Sequence, residues 1–305
     1  MIDGLVVVDK APGMTSHDVV ARCRRLFDQK KVGHAGTLDP DATGVLIVGL
    51  GRATRLLQFL VGLPKSYTAE VVLGVATTTL DAAGQVTGRW DQRHVTLADA
   101  RRAAEQMTGT IWQIPPMVSA VKVGGRRLHQ LARQGIEVER APRQVTVSRF
   151  SVDPCRPDAD PTAAADGSGP VFVVGVECSS GTYVRSLAAD LGAALGGGAH
   201  LRRLRRTGVG PWKEDRATGL ESLTATDVVP PAAALPWLDP VVVDAARAGE
   251  ISNGRVLAGD VFDALGAAGE GPWPVIGPDG DLLAVYEPCL DGRVKPVMVM
   301  PPPER

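Results

Sequence analysis

Aromatic residues are scarce in this chain. Five Trp, three Tyr and five Phe make up 4% of 305 residues, so the place of each tyrosine is worth asking about. Cysteine is scarcer still. Cys23, Cys155, Cys178 and Cys289 form no Cys-x-x-Cys pair and no tight framework, so free thiols in a reducing compartment are expected. Five scattered histidines supply no zinc-ligand spacing, and no metal is expected. No apolar run approaches the roughly 20 residues that cross a bilayer, so no membrane association is expected. The opening MIDGLVVVDK lacks the basic segment and long apolar stretch of a secretory leader. A cytoplasmic location is the expectation. There is no P-loop, and Gly49-x-Gly51-x-x-Thr54 lacks the third glycine of a dinucleotide loop. No nucleotide cofactor is therefore expected, and no internal repeat stands out.

What is present has the balance of a soluble globule: 44% apolar and 22% charged residues. The length fits one large domain with a small appendage. Gly 35 and Pro 23 together imply many turns. The net charge of −1 hides an asymmetry. Residues 1–238 hold 28 Lys and Arg against 23 Asp and Glu, and residues 239–305 hold 5 against 11. The positive part suits an anionic partner, but uneven composition between two domains explains the numbers equally well.

Leu5–Asp9 reads as a short strand, followed by the turn Lys10-Ala11-Pro12-Gly13. Thr15 or Ser16 can cap a helix with Val19, Val20, Cys23, Leu26 and Phe27 on its apolar face. A loop at 33–41 and a strand at Val45–Val48 follow. Further strands are predicted at Tyr67–Val75, Gln144–Val152 and Val171–Cys178, and helices at Leu97–Met107 and Val184–Leu195. Pro154–Pro170 reads as a surface insertion and Pro230–Pro240 as a linker. Short β-like runs at Pro274–Ile276, Leu282–Tyr286 and Val297–Met300 point to a small β-rich domain at 239–305. The fold class predicted is α+β, with a largely antiparallel mixed sheet and flanking helices.

The most informative stretch is GHAGTLDPDATGVL, Gly33–Leu46. Alone, an Asp before Pro is a common turn former. That reading leaves His34, Gly36, Thr37 and Gly44 around Asp39 unexplained. The run resembles the signature of the TruB-type tRNA pseudouridine synthases, His-x-Gly-Thr-Leu-Asp-Pro-x-Ala-x-Gly-Val-Leu, complete from His34 to Leu46. The opening Gly4–Ser16 is similar to the family's Lys-Pro-x-Gly motif, with Ala11 inserted between Lys10 and Pro12. Lys65-Ser66-Tyr67, Gln113–Lys122, Gly181-Thr182-Tyr183-Val184-Arg185 and the stretch from Gly198 to Arg206 match further family segments. The resemblance covers most of residues 1–215.

The resemblance implies a pseudouridine synthase fold at 1–238 and a PUA-like RNA-binding domain at 239–305. It implies isomerisation of uridine 55 in the T loop of tRNA, with the base flipped out of its stack. In this reading Asp39 is the catalytic carboxylate, Arg185 its ion-pair partner and Tyr67 the aromatic against the base. His34 fills the space the uridine leaves. Tyr183 and Leu204 line the pocket, and Lys10 contributes to substrate binding. An RNA-gripping insertion at about 122–143 brings Lys122, Arg126, Arg127 and Arg133, although Leu128-His129 replaces the family's usual Leu-Tyr. Arg202, Arg203, Arg205 and Arg206 form a second basic cluster for phosphates. The chemistry needs neither metal nor cofactor, and whether Asp39 acts at C1′ or at C6 stays open.

Each residue has a plainer reading: a satisfied turn His34, a packing Tyr67, a surface Arg185. Rival functions are a guide-RNA-dependent synthase, an RNA-binding chaperone and a hydrolase. Length and the basic insertion favour a stand-alone enzyme that needs no guide RNA, and because nothing calls for a partner subunit a monomer is expected. Ser16-His17-Asp18 is no hydrolytic triad, because three consecutive residues at a helix start point apart.

Overall fold

The structure is a computed structural model that describes residues 2–119, 121–136, 138–155 and 169–300. At Lys122, Val123, Arg127, His129 and Arg133 only the backbone is described. The insertion expected at Pro154–Pro170 falls largely outside these residues. The chain divides into two compact units: Met1–Pro40, Val45–Val61 and Pro211–Arg305 in the first, Asp41–Gly44 and Gly62–Gly210 in the second. Among the described residues no helix is long and apolar enough to cross a membrane.

In the first unit, the strand Gly4–Lys10 pairs in parallel with Thr218–Gly219. The strands Val32–Ala35 and Thr43–Leu50 form an antiparallel hairpin, with His34 opposite Val48. Leu5–Val8 and Val45–Val48 are buried at every position, the mark of strands covered on both faces. The expected loop at 33–41 therefore begins as a strand. Between them, helix Ser16–Leu26 starts with a capping box. Thr15 accepts from the Asp18 amide, and Asp18 accepts from the Thr15 amide and hydroxyl. Val19, Val20 and Cys23 are buried as expected, whereas Leu26 is half-exposed because the helix ends there.

The same unit holds a five-stranded sheet in the order Val241–Val242, Trp273–Ile276, Leu282–Pro288, Arg293–Val299, Leu257–Ala258. Its core is built on Phe262, Trp273 and Tyr286, whose rings pack together. Both polar aromatic groups are satisfied: Tyr286 Oη donates to the Arg255 carbonyl, and Trp273 Nε1 to that of Ala268. Pro230–Pro240 is no free linker. It contains a short 3₁₀ turn, and Ala234 and Leu235 are buried.

In the second unit five strands run antiparallel in the order Ala199–Val209, Lys65–Leu73, Val171–Cys178, Arg143–Pro154, Gly109–Gln113. Thr43 and Gly44 add a parallel pairing to Arg205 and Arg206, so the sheet is mixed. Val171–Cys178 alternates cleanly, burying Phe172, Val174, Val176 and Cys178. Arg143–Pro154 buries Val145 and Val147, then Phe150 and Val152. A bulge between Val147 and Arg149 absorbs that change of phase. Helices Leu97–Gln106 and Val184–Ala194 pack on this face through Ala100, Ala103, Ala104, Leu187, Ala188 and Leu191.

Within the insertion, Lys122–Val123 and Arg126–Arg127 form a hairpin around Gly124 and Gly125. Both glycines have positive φ, as a tight two-residue hairpin turn requires. The helix Leu128–Arg133 follows, with Leu128 and Leu131 buried.

Candidate active site

In the first unit the Asp39 loop is the tip of the hairpin Val32–Ala35/Thr43–Leu50, and its neighbours are clamped. Leu38 is buried, its amide donates to Ser16 Oγ at 2.9 Å, and Ser16 Oγ lies 3.3 Å from the Leu38 carbonyl. On the other side of Asp39, the ammonium of Lys10 donates to the Pro40 carbonyl at 2.7 Å and to that of Ala11 at 2.9 Å. Lys10 is 1% exposed. A buried ammonium must be matched by acceptors, and carbonyls of the loop are among them. The strand and the helix start thus hold the residues on both sides of a half-buried Asp39. Ser16 and Asp18 are engaged in this clamp and in the helix cap, which accounts for Ser16-His17-Asp18 without a hydrolytic role. His34 and His17 meet edge to face at 5.3 Å between ring centroids.

In the second unit Tyr67 lies on strand Lys65–Leu73, and Leu204 on the neighbouring strand; both pack against the core under helix Val184–Ala194. Tyr183 caps that helix and is fixed by Gln113. Its amide donates to Gln113 Oε1 at 2.7 Å, and its carbonyl accepts from Gln113 Nε2 at 3.1 Å. Arg185, in the first turn, is 4% exposed. Its Nη1 donates to the Thr79 carbonyl at 3.1 Å and lies 3.3 Å from Asp81 Oδ2, and its Nη2 donates to the Val118 carbonyl at 2.8 Å. The plainer reading of Arg185 as a surface residue is therefore wrong. The sequence gives Asp81 no signal, and it places Ser16 and Gln113 in motifs without showing what they hold. Asp81 sits 104 positions from Arg185, and only the folded contact marks it.

The basic cluster at 202–206 lies on a strand, which splits it. Arg203 is exposed and Arg205 half-buried, whereas Arg206 is 1% exposed and turned into the sheet. Arg206 is thus no phosphate ligand of the surface. Arg202 Nε donates to Glu70 at 2.7 Å, and the two side chains are mostly buried. In the insertion, Arg126 is exposed and donates to Gln134, while Arg140 donates to the Pro115 carbonyl. The side chains of Lys122, Arg127 and Arg133 lie outside the described part.

Burial alters the chemistry near Tyr67. Desolvation, reinforced by the charge of Arg206, pushes the Lys65 ammonium down to about 8. Desolvation pushes the Cys178 thiol up to about 11, which keeps it protonated. Among the described residues no group of three His, Cys, Asp or Glu is arranged to hold a metal ion. The first unit offers a clamped carboxylate, and the second a buried guanidinium and a sheet-mounted tyrosine.

The family model for the N-terminal domain of TruB family pseudouridylate synthases matches residues 24–184. That for the C-terminal domain of tRNA pseudouridylate synthase B matches residues 185–243. The tRNA pseudouridine synthase B of Arthrobacter sp. (strain FB24) is 46% identical, over 99% of this chain and 98% of its own. Those of Rhodococcus jostii (strain RHA1) and Thermobifida fusca (strain YX) are 48% and 47% identical over 98% of this chain, and over 94% and 99% of their own. Among solved structures, a chain of a Cbf5-Nop10-Gar1 complex is 25% identical, with a TM-score of 0.69, over 97% of this chain and 83% of its own. A chain of the archaeal box H/ACA sRNP Nop10-Cbf5 complex shares the fold at 23% identity and a TM-score of 0.68, over 99% and 88%. The fold is the pseudouridine synthase fold, with a PUA-like sheet in the C-terminal part. On these matches the chain belongs to the TruB family of pseudouridylate synthases, which are isomerases.

Proposed function

We propose that this enzyme isomerises uridine 55 in the T loop of tRNA, acting alone on the RNA. The relatives' shared activity, at 46–48% identity over nearly the whole chain, supports tRNA as the substrate. The observation that carries the rest is the hairpin tip, where Ser16 and Lys10 fix the residues on both sides of Asp39. A carboxylate so held meets the sugar or base in one geometry, which is what a positioned nucleophile needs.

The N1–C1′ bond breaks and the sugar rejoins the ring at C5, so nothing is oxidised and no metal or cofactor is required. The reacting atoms are hidden in a folded T loop, and the uridine is flipped out to reach the site. His34 takes its place in the loop. Tyr67 stacks on the flipped base, and Tyr183 and Leu204 complete the pocket. Arg185 keeps Asp39 ionised, because an adjacent cation offsets the cost of burying a carboxylate. Phosphates are gripped by Arg205, Arg126 and the other basic residues of the insertion, Lys122, Arg127 and Arg133. Arg202 contributes through its ion pair with Glu70, which steadies the strand beside the more exposed Arg203. Lys10 contributes by holding the loop. Residues 1–238 carry the catalysis, residues 239–305 form the PUA-like RNA-binding domain, and the enzyme works as a cytoplasmic monomer.

A guide-RNA-dependent mode is the second reading, because guide-dependent relatives share the motifs around Asp39, Tyr67 and Arg185. One experiment separates the two. Unmodified tRNA transcript is incubated with the chain without other RNA, and the product is mapped by nuclease digestion and mass spectrometry of labelled fragments. Pseudouridine at position 55 alone is the expected result. Pseudouridine elsewhere, or only after a guide is added, would overturn the proposal.

A further inference from the structure

Tyr67 does not sit alone on its strand. Lys65, two residues earlier, shares its face of the sheet and is 7% exposed. Directly across, on strand Ala199–Val209, Arg206 is the cross-strand partner of Tyr67. Arg206 is 1% exposed, and its guanidinium donates a hydrogen bond to the Tyr67 phenol oxygen. A bulge between Arg206 and Gly208 keeps this pairing while Val209 realigns with Lys65. On its other edge, Gly44 approaches so closely that a Cβ there would lie 2.2 Å from the Arg206 carbonyl oxygen. The Arg206 backbone is therefore held from both sides. Two buried cations and a tyrosine converge where a surface phosphate grip would have been expected from the sequence alone.

We propose that Arg206 is a positioning residue for catalysis, which holds the Tyr67 oxygen and favours its phenolate so that Tyr67 takes the proton from C5. The inference rests on the uridine isomerisation proposed above. A phenol with the ordinary value near 10 is a poor base at neutral pH. A donated hydrogen bond and a buried positive charge both favour the anion. Lys65 adds charge of the same sign, and its own ammonium is pushed down to about 8, mainly by burial and then by Arg206. The groups facing this cluster are Lys65 on the same strand and Arg206 on one neighbour. Cys178, opposite Lys65, lies on the other neighbour, and Arg185 lies in the first turn of the helix packed on this core. In the proposed reaction Asp39 shares the uridine and its charge acts in the opposite sense. The step balances. After C5 joins C1′, the C5–H bond breaks and its proton goes to the phenolate oxygen. The electron pair closes the C5–C6 double bond, and the displaced C6–N1 pair takes a proton from water at N1. The phenol then returns its proton to solvent.

The chain has three tyrosines, Tyr67, Tyr183 and Tyr286, which makes the test direct. Phenolate absorbance of the native chain is followed as pH rises, beside Tyr67→Phe. The first ionisation is expected well below the ordinary value of about 10, and it disappears in Tyr67→Phe. Arg206→Gln moves that ionisation up by at least about one pH unit, and lowers single-turnover tritium release from C5-labelled tRNA at neutral pH about tenfold. Raising the pH recovers the rate. Arg206→Lys, which keeps the charge, stays nearer the native profile. If Tyr67 ionises at or above about 10 in the native chain, the proposal is overturned without recourse to any Arg206 variant. A folded Arg206→Gln with an unmoved ionisation overturns it too. A native chain with the early Tyr67 ionisation but no tritium release refutes the isomerisation, and the role of Arg206 in it.

Discussion

Single residues carry charge into places where charge is costly, and each such place has a measurable signature. Arg185 is nearly inaccessible and is matched by two carbonyls and Asp81. Truncating Asp81 leaves part of that charge unmatched. Because Asp81 keeps some exposure, Asp81→Ala should destabilise the fold by about 1.5–3 kcal/mol in urea unfolding, and lower turnover more than tRNA affinity. An unchanged unfolding midpoint would show that Asp81 does not support Arg185. Lys65 gives a pH signature. Its ammonium falls to about 8 in the folded chain from an ordinary value of 10.5. Between those values the unfolded chain holds more protons than the folded one, so stability rises with pH across that window. Below about pH 8 the penalty for a buried charge is present in full. Lys65→Met should remove this rise, a difference of at most about 3 kcal/mol between the two chains' pH profiles. Parallel profiles would contradict the burial argument.

Elements decide where these residues end up, and they were legible to different degrees. Val171–Cys178 could be read to the residue because one face is buried and the other is not. The starts of helices Ser16–Leu26 and Leu97–Gln106 are written as Thr followed three residues later by Asp, a capping box in both. The strand Ala199–Val209 was hidden. Its arginines and two bulges break the alternation, so a buried Arg206 looked like its exposed neighbour Arg203. The strand Val32–Ala35 has the sequence of a loop, because Gly33 and His34 carry no strand preference. The short helices Ala245–Ser252 and Gly259–Ala264 leave no clear signal in the sequence, having too few turns for an apolar stripe. Of the candidate site, the motifs single out Asp39, Tyr67 and Arg185. The supporting contacts of Ser16, Gln113 and Asp81 are not legible, because each joins residues distant in sequence. The hairpin tip makes the sharpest prediction at this scale. Gly44 has φ +96°, and a Cβ there would lie 2.2 Å from the Arg206 carbonyl oxygen. Gly44→Ala combines backbone strain with that clash and should cost about 3 kcal/mol or more, seen as a lowered urea midpoint with unchanged slope. A near-native midpoint would mean the two strands part easily.

The whole molecule is nearly neutral, yet its charges are segregated. Residues 1–238 carry the excess of Lys and Arg, while residues 239–305 carry 11 acidic against 5 basic residues. Binding of tRNA should therefore weaken steeply with salt, with log affinity linear in log salt concentration. Arg203 is exposed, so Arg203→Ala should reduce that slope by about one, as loss of one phosphate contact does. Arg206→Gln should leave the slope unchanged, because Arg206 faces the interior. Equal effects of the two would place both at phosphates. The central claim is narrower: that a stand-alone chain isomerises uridine in tRNA through Asp39. The most direct measurement is tritium release from C5-labelled, unmodified tRNA transcript with no other RNA present, comparing the native chain with Asp39→Ala. The account predicts release by the native chain, none by Asp39→Ala, and comparable tRNA binding by both. Equal release by both chains, or none by a native chain that binds tRNA, would contradict it.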